Sequence, residues 1–301
     1  MKGGFDVGNF IDLHMHSTFS DDAEFTPTEL VRQCKDAGIQ IMSITDHNSS
    51  KANTEAKIEA KRLGIKYISG IEIDCRCNGT NLHLLGYGID EGSPDFAAHE
   101  DSHFSQERIA SRERLILTRK LGFDITSDEL NAISNIDDGT GNWTGEAFAE
   151  ALLGKKEYLD HELLKPYRAN GERSDNPYAN FYWDYYAQGK PCYVKTDFPS
   201  LGQAIAIIQK NGGKAVLAHP AQNLKGQLER FDEIAKSGID GVEVFCSYHD
   251  KKTSEYFYDK ALQYSLVVTC GSDYHGKTKP SVKLGNTGCW LGQSEIFGGA
   301  F

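Results

Sequence analysis

Histidine and acidic side chains recur within or directly after the apolar segments of this 301-residue chain. His14 and His16 follow the apolar run at 10–13, and on extended backbone two such imidazoles project to the same side. Paired imidazoles at this spacing commonly bind a metal ion. Nine side chains form the full set of predicted metal ligands: His14, His16, Asp21, His47, Glu72, His83, His219, Asp273 and His275.

This ligand set is larger than one ion can use, so the sequence predicts two or three divalent ions with positions left for water and substrate. Mixed imidazole and carboxylate groups favour Mn, Zn or Fe over Ca, with Mg also allowed. The set contains no thiolate, which disfavours a structural zinc site. Clusters of two or more metals commonly catalyse the hydrolysis of phosphate esters, and this is the chemistry that we expect here.

Strand and helix patterns alternate up to about residue 90 and again between residues 200 and 270. The sequence Thr26-Pro27-Thr28-Glu29 has the residues of a helix start, and Gly38 is placed to end that helix. Such alternation predicts a parallel sheet or an α/β barrel. In a barrel the carboxyl ends of the strands share one face, which would bring the predicted ligands together although they lie far apart in sequence.

Residues 96–194 lack this alternation and predict an inserted, mainly helical cap. The cap would interrupt a catalytic unit made of residues 9–95 and 195–292. The length of the chain suits two average domains or one large α/β domain with such an insertion. An aromatic stripe at 178–186 would pack inside the cap or, alternatively, form a stacking wall for a base or sugar.

The chain carries 43 acidic and 32 basic residues, for a net charge of −11. This balance disfavours a stable complex with nucleic acid, although bound metals can still attract a small phosphorylated substrate. The sequence has no run of about 18 apolar residues, so we expect no membrane span. Seven cysteines, an odd number, suit free thiols in a reducing cytoplasm, where we expect the protein to act. The oligomeric state stays open.

Five segments of the chain resemble the motifs of one family. Residues 14–21 (HMHSTFSD) resemble the first motif of the PHP (polymerase and histidinol phosphatase) superfamily, and residues 44–48 (ITDHN) resemble the second. Gly70-Ile71-Glu72 resembles the strand with the bridging glutamate, and residues 217–220 and 271–275 resemble the last two motifs. The segments occur in the family's order. The cap is similar to that of the standalone PHP phosphoesterases of small substrates.

The resemblance implies a distorted (β/α)7 TIM-like barrel that holds a trinuclear metal centre beneath the inserted cap. The implied ligands are His14, His16 and Asp273 for the first ion, Glu72 as a bridge, His83 and His219 for the second ion, and Asp21, His47 and His275 for the third. One departure among relatives is at Asp21, where some members carry histidine, and the glycine that often follows this acid is Asp22 here.

The implied activity is a phosphoesterase reaction in which a hydroxide that bridges the metals attacks phosphorus. His219, His249 and Asp273 are the predicted proton donors for the leaving group. His249 is also a predicted phosphate contact, with an ordinary surface histidine as the alternative. The predicted clamps for a second substrate phosphate are Lys190, Arg108, Arg112 and Arg114, with a solvated helix face as the alternative.

The capped resemblance favours nucleotides as substrates, either nucleoside 3′,5′-bisphosphates or oligonucleotide 5′ ends, with inorganic phosphate as a product. The alternatives are a phosphoribosyl 1,2-cyclic phosphate and histidinol phosphate. Two alternatives to an enzyme are a non-catalytic PHP module and a metal-binding or sensing protein. A non-catalytic module usually loses ligands, whereas all nine positions are filled here.

Overall fold

The computed structural model describes residues 10–134 and 142–299 of the chain. Residue 9 of the predicted catalytic unit and residues 135–141 of the predicted cap lie outside the described residues. The strands are β1 (Ile11–Asp12), β2 (Ile41–Met42), β3 (Lys66–Tyr67), β4 (Gly70–Cys77), β5 (Thr80–Tyr87), β6 (Lys214–Leu217), β7 (Gly241–Cys246) and β8 (Val267–Gly271). The helices are α1 (Pro27–Asp36), α2 (Ala52–Leu63), α3 (Pro94–Lys120), α4 (Ser127–Ile133), α5 (Gly145–Gly154), α6 (Pro177–Tyr185), α7 (Leu201–Lys210), α8 (Pro220–Leu224), α9 (Phe231–Ala235) and α10 (Lys251–Tyr264).

Local sequence signals account for the ends of several helices. The Thr26 side chain accepts a hydrogen bond from the Glu29 backbone N–H, and the Glu29 carboxylate accepts one from the Thr26 backbone N–H. This capping box satisfies two donors that a helix start leaves open, so α1 begins where the sequence predicts. Gly64 ends α2 with φ of 71°, a left-handed conformation that glycine adopts without a steric penalty.

The strands form two sheets, one in the order β1-β2-β3 and one in the order β4-β5-β6-β7-β8. All pairs are parallel except β4 with β5 and β5 with β6. Backbone hydrogen bonds join the two sheets at both sides, from Leu13 N to Cys270 O at 3.0 Å and from Glu72 N to Asp46 O at 3.0 Å. With β3 and β4 counted as one position, the described strands make a closed ring of seven.

The apolar core lies in three clusters. Two belong to the strand ring: one includes Ile71, Leu84, Val216 and Val244, and the other packs α1 and α2 against β2. The third cluster draws its buried residues from positions 115–192 alone. The described residues of 96–194 contain helices and turns but no strand. These observations support an inserted helical cap with its own core, although its exact boundaries stay a prediction.

All seven cysteines are free thiols. No helix in the described part of the chain is long and apolar enough to cross a membrane.

Candidate metal centre

The strand ring places eight of the nine predicted ligands together at one end. They follow or lie within six different strands: His14 and His16 after β1, His47 after β2, Glu72 in β4, His83 in β5, His219 after β6, and Asp273 and His275 after β8. Because parallel strands end on the same face, groups from distant parts of the chain meet there. Most of these side chains are almost fully buried.

Glu72 lies at the centre of this cluster and is fully buried. Its carboxylate lies within 3.4 Å of five imidazole nitrogens, those of His14, His16, His47, His83 and His219. One oxygen, Oε1, faces His83 and His219, whereas Oε2 faces the other three imidazoles. A carboxylate with its two oxygens in separate groups of ligands is suited to bridge two metal ions.

Asp273 is the second carboxylate that contacts the clustered imidazoles. Its Oδ1 lies 3.1 Å from His16 Nε2 and 3.4 Å from His14 Nε2. The residue has φ of 59°, which is uncommon for a non-glycine residue and costs about 1–3 kcal/mol unless its surroundings hold it. Its backbone N–H donates to His14 O at 2.8 Å, which fixes this conformation. Gly271 allows the end of β8 to lie against the backbone at His14, since a Cβ at position 271 would lie 2.1 Å from the Cβ of His14.

Several polar atoms at the centre of the cluster are buried without a hydrogen-bond partner. They include Glu72 Oε2, Asp273 Oδ1, His47 Nδ1, His275 Nε2 and Asp22 Oδ1. Unpaired buried polar atoms are rare in native proteins, because each costs free energy of desolvation. Three sets of these residues offer ligand atoms within 4.8 Å of one another: His14, Glu72, His219 and Asp273; His47, Glu72 and His83; and His16, His47 and His275. The donors therefore fit divalent metal ions.

The shifted pKa values of the clustered histidines also suit a site for divalent cations. Burial lowers the pKa of His14, but the carboxylates of Glu243, Glu72 and Asp273 outweigh it and raise that pKa well above its usual value. Burial also opposes the charging of His83, yet Glu72 and Asp74 raise its pKa to about 9. Burial lowers the pKa of His47 to about 3. The carboxylates that favour the charged imidazoles would equally favour divalent ions at this position.

A second layer of buried carboxylates holds the ligands in place. Glu243 Oε1 lies 3.0 Å from His14 Nδ1, and Glu243 Oε2 accepts a hydrogen bond from the His219 backbone N–H at 2.8 Å. Asp74 Oδ1 lies 3.3 Å from His83 Nε2. Such contacts fix the tautomer and orientation of a ligating imidazole. Neither residue was predicted from the sequence, although an acid inside the apolar strand 242–246 and an acid two residues after Glu72 were available signals.

Asp46 has the orienting contacts that suit its place beside a predicted ligand. It accepts hydrogen bonds from Ser17 Oγ at 2.6 Å and from Ser20 Oγ at 3.0 Å. Ser20 Oγ lies 3.0 Å from His16 Nδ1. The Asp46 carboxylate is therefore linked to the imidazole of His16 through the hydroxyl of Ser20.

The structure places Asp22, not Asp21, beside the third group of imidazoles. Asp22 Oδ2 lies 3.3 Å from His275 Nε2, and the Asp22 side chain is 13% exposed. Asp21 instead lies exposed at the rim and accepts a hydrogen bond from Asn142 Nδ2 at 3.3 Å. Asp21 therefore stays a prediction as the acidic ligand, and the contact with His275 makes Asp22 the candidate that the geometry favours.

Four predicted substrate or catalytic residues lie elsewhere. His249 Nδ1 is 2.8 Å from Val244 O, and its Nε2 accepts from the Ala221 backbone N–H at 3.3 Å, so both ring nitrogens bind backbone. Burial lowers the pKa of His249, consistent with a neutral ring that braces two chain segments. The exposed side chains of three further residues lie outside the cavity above the metal cluster: Lys190, Arg108 and Arg112.

The cavity above the cluster has a volume of about 220 Å³ and is walled by both the strand ring and the cap. Its floor includes His47, His83, Asp22 and Lys279, and the cap contributes Arg114, Glu146, Tyr182, Trp183 and Tyr186. The aromatic stripe divides between the two predicted roles, because Phe181 and Tyr185 pack in the cap core while Tyr182 and Trp183 line the cavity.

Comparisons with known proteins agree with this site. A phosphoribosyl 1,2-cyclic phosphate 1,2-diphosphodiesterase from Eggerthella lenta is 28% identical over 88% of this chain and 94% of its own. A 3′,5′-nucleoside bisphosphate phosphatase from Chromobacterium violaceum is 28% identical over 92% of this chain and 91% of its own. The 5′-3′ exoribonuclease Rnm of Salmonella typhimurium is 30% identical over 93% of this chain and 89% of its own.

The fold has solved counterparts as well. A candidate metal-dependent phosphoesterase from Bifidobacterium adolescentis superposes with a TM-score of 0.73 and 26% identity, covering 92% of this chain and 91% of the other. The α/β fold expected from the sequence is thereby confirmed. The PHP domain family matches residues 12–171, which is more than half of the chain. On these grounds, and on the clustered imidazoles and carboxylates, the chain belongs to the PHP domain family.

Proposed function

We propose that this protein is a metal-dependent phosphoesterase that hydrolyses small phosphorylated metabolites, with nucleotides as its preferred substrates. The observation that carries the proposal is the cluster of buried, unpaired carboxylate and imidazole atoms on the floor of a cavity. The full-length relatives named above are a phosphodiesterase, a phosphatase and an exoribonuclease, all of which act on phosphate esters.

Two or three divalent ions, Mn, Zn or Fe, would occupy the cluster. We propose that the ligands are the eight clustered residues together with Asp22, and that Glu72 would be shared between ions: His14, His16, His47, Glu72, His83, His219, Asp273, His275 and Asp22. When bound, such ions supply an activated water and neutralise the charge on the phosphoryl oxygens. Most of this charged set is buried, and electrostatic interactions are stronger in such a site than at a surface.

The chain's own residues would orient the reaction. Glu243 and Asp74 hold the imidazoles of His14 and His83, so the lone pairs of these ligands face the cluster. His219 remains the proposed proton donor to the leaving group, through the ring nitrogen Nδ1 that does not face Glu72. Asp273 does not suit this role, because Lys279 and the neighbouring imidazoles outweigh its burial and hold its pKa well below the usual value. The hydroxyl of Tyr248 donates to Asp273 Oδ2 at 2.5 Å and fixes that carboxylate.

The cap supports a nucleotide as the substrate. Aromatic rings of Tyr182, Trp183 and Tyr193 line the cavity together with Phe198. Each base presents a π face that can stack on such rings, and stacking is worth about 1–3 kcal/mol per base. A phosphoribosyl cyclic phosphate has no base to use these rings, and so it is the second candidate substrate.

A release assay tests this function. The purified protein is stripped with a chelator, reloaded with Mn, Zn or Fe, and incubated with nucleoside 3′,5′-bisphosphates, short oligonucleotides and cyclic phosphates. We expect metal-dependent release of inorganic phosphate or mononucleotide, which chelation and Glu72→Ala abolish. Glu59→Ala is the matched control, because the Glu59 carboxylate is nearly buried but pairs with Arg32 and Arg62 away from the cluster. Metal binding without turnover of any of these esters would instead support a non-catalytic module.

A further inference from the structure

Lys279 is a cation on the cavity wall that the proposed ligand set does not use. Its side chain is only 14% exposed, and its Nζ lies 2.6 Å from Asp273 Oδ2. The Tyr248 hydroxyl donates to the same oxygen, and Lys279 Nζ lies 5.6 Å from the centroid of the Tyr248 ring. The position of the ammonium is therefore defined by two neighbours.

The ammonium lies next to the place where a phosphoryl group must bind. Asp273 Oδ1 faces the imidazoles of His14 and His16 at 3.4 Å and 3.1 Å, while Oδ2 faces Lys279. The metal cluster and the lysine thus contact opposite oxygens of a single carboxylate. A phosphate placed over the cluster would come within hydrogen-bond reach of Lys279 Nζ, which also borders the cavity.

The ammonium has donors to spare. An ammonium group carries three N–H donors, and among the described residues (10–134 and 142–299) Lys279 has one hydrogen-bond acceptor, Asp273 Oδ2. Divalent ions bound at Asp273 would neutralise part of the negative charge of its carboxylate, which would weaken the ion pair between Asp273 and Lys279. The remaining donors then face a cavity that also contains the carboxylate of Asp22, where an anionic substrate needs a local cation.

The other basic residues that line the cavity in the described parts of the chain are placed differently. Arg114 pairs with Glu107 at 2.6 Å. Lys225 is exposed and lies 5.9 Å from the ring of Trp183, toward the aromatic wall. Neither contacts a proposed metal ligand, so Lys279 is the cation best placed at the reacting phosphorus.

We propose that Lys279 contacts the substrate directly, with its ammonium hydrogen-bonded to a non-bridging oxygen of the phosphoryl group that is transferred. This inference rests on the proposed function and names a residue for it that the metal-binding motifs do not include. The lysine acts as a fixed positive charge whose interaction strengthens as negative charge develops on the phosphoryl oxygens.

The test compares Lys279→Met, Lys279→Arg and the control Lys277→Met in the metal-loaded protein. Lys277 is a suitable control, because it lies two residues away, is 44% exposed and pairs with Glu150 at 2.8 Å on the cap. The readouts are metal content, calorimetric binding of inorganic phosphate, and kcat and KM. We expect Lys279→Met to keep its metals, to bind phosphate about tenfold or more weakly, and to lose about a hundredfold in kcat/KM. Lys279→Arg should recover part of the phosphate affinity and part of kcat/KM, and Lys277→Met should match the wild type in both.

Three results would overturn the inference: unchanged phosphate affinity in Lys279→Met, no phosphate binding by the wild type, or a loss of activity that follows a loss of metal. The last would show that the lysine only supports Asp273. If Lys279→Met does not fold, Lys279→Gln keeps a hydrogen-bond donor to Asp273 without the charge and is measured instead. Should the wild type hydrolyse no ester yet bind phosphate through Lys279, the proposed function fails while the contact stands.

Discussion

Replacing Glu243 by glutamine tests how the second layer of carboxylates supports the metal centre. Glu243 is fully buried, and its two oxygens serve His14 Nδ1 at 3.0 Å and the backbone N–H of His219 at 2.8 Å. Glutamine has the same size but only one oxygen, so its amide NH2 must face one of these two N–H donors. The variant loses one charge-assisted hydrogen bond, worth about 1.5–3 kcal/mol, and leaves a buried donor unpaired.

This loss should appear as weaker metal binding. Removal of an outer partner of a metal-binding histidine typically costs about 10–100-fold in affinity, which agrees with the free energy of the lost bond. The assay is competition with a coloured chelator for Zn or Mn, supported by the visible spectrum of the Co-loaded protein. Glu243→Asp, which keeps the charge on a shorter side chain, should recover part of the affinity.

The matched control is Asp240→Asn, just before the same strand. Asp240 accepts from the Ala215 backbone N–H at 2.9 Å and pairs with Lys214, and it does not line the cavity. We expect this control to change stability but not metal affinity. Wild-type metal affinity and an unchanged Co spectrum in Glu243→Gln would refute the role given to Glu243.

Three further predictions concern other residues of the site. Asp22→Asn should lose about one equivalent of metal per chain by mass spectrometry while Asp21→Asn keeps the wild-type content; the reverse pattern would make Asp21 the ligand. Burial and the nearby Asp22 raise the pKa of Glu146 from 4.5 to about 8, so the metal-free protein should lose stability as the pH rises through that window. Near pH 8.5, Glu146→Gln should be more stable than the wild type by roughly 2–4 kcal/mol in urea unfolding, whereas near pH 5 the two should differ little. If wild type and variant have the same urea midpoint at both pH values, the raised pKa of Glu146 is contradicted. His249→Phe should lower the free energy of unfolding by about 1–3 kcal/mol and leave kcat unchanged. A large fall in kcat of the folded variant would instead support the predicted catalytic role of His249.

Short-range signals in the sequence determined much of this protein. The capping box at Thr26 and Glu29 and the glycine at Gly64 act within one helical turn, so α1 and α2 could be predicted from neighbouring residues. The motif order around His14, His47 and Glu72 indicated the family, and strand ends predicted that these groups would meet. Ligand types and their positions after strands are local properties, which is why the sequence alone carries them.

Only the tertiary structure decided which neighbours complete the site. Glu243 and His14 lie 229 residues apart in the chain, and no local pattern pairs them. The choice of Asp22 over Asp21 depends on the direction of one turn, and a difference of one residue reverses which side chain points inward. His249 was predicted as a proton donor or phosphate contact, but packing places both of its ring nitrogens against backbone groups. Such contacts form only when the ring of strands closes and fixes distances between distant segments, because hydrogen bonds act over a few ångströms and depend on orientation.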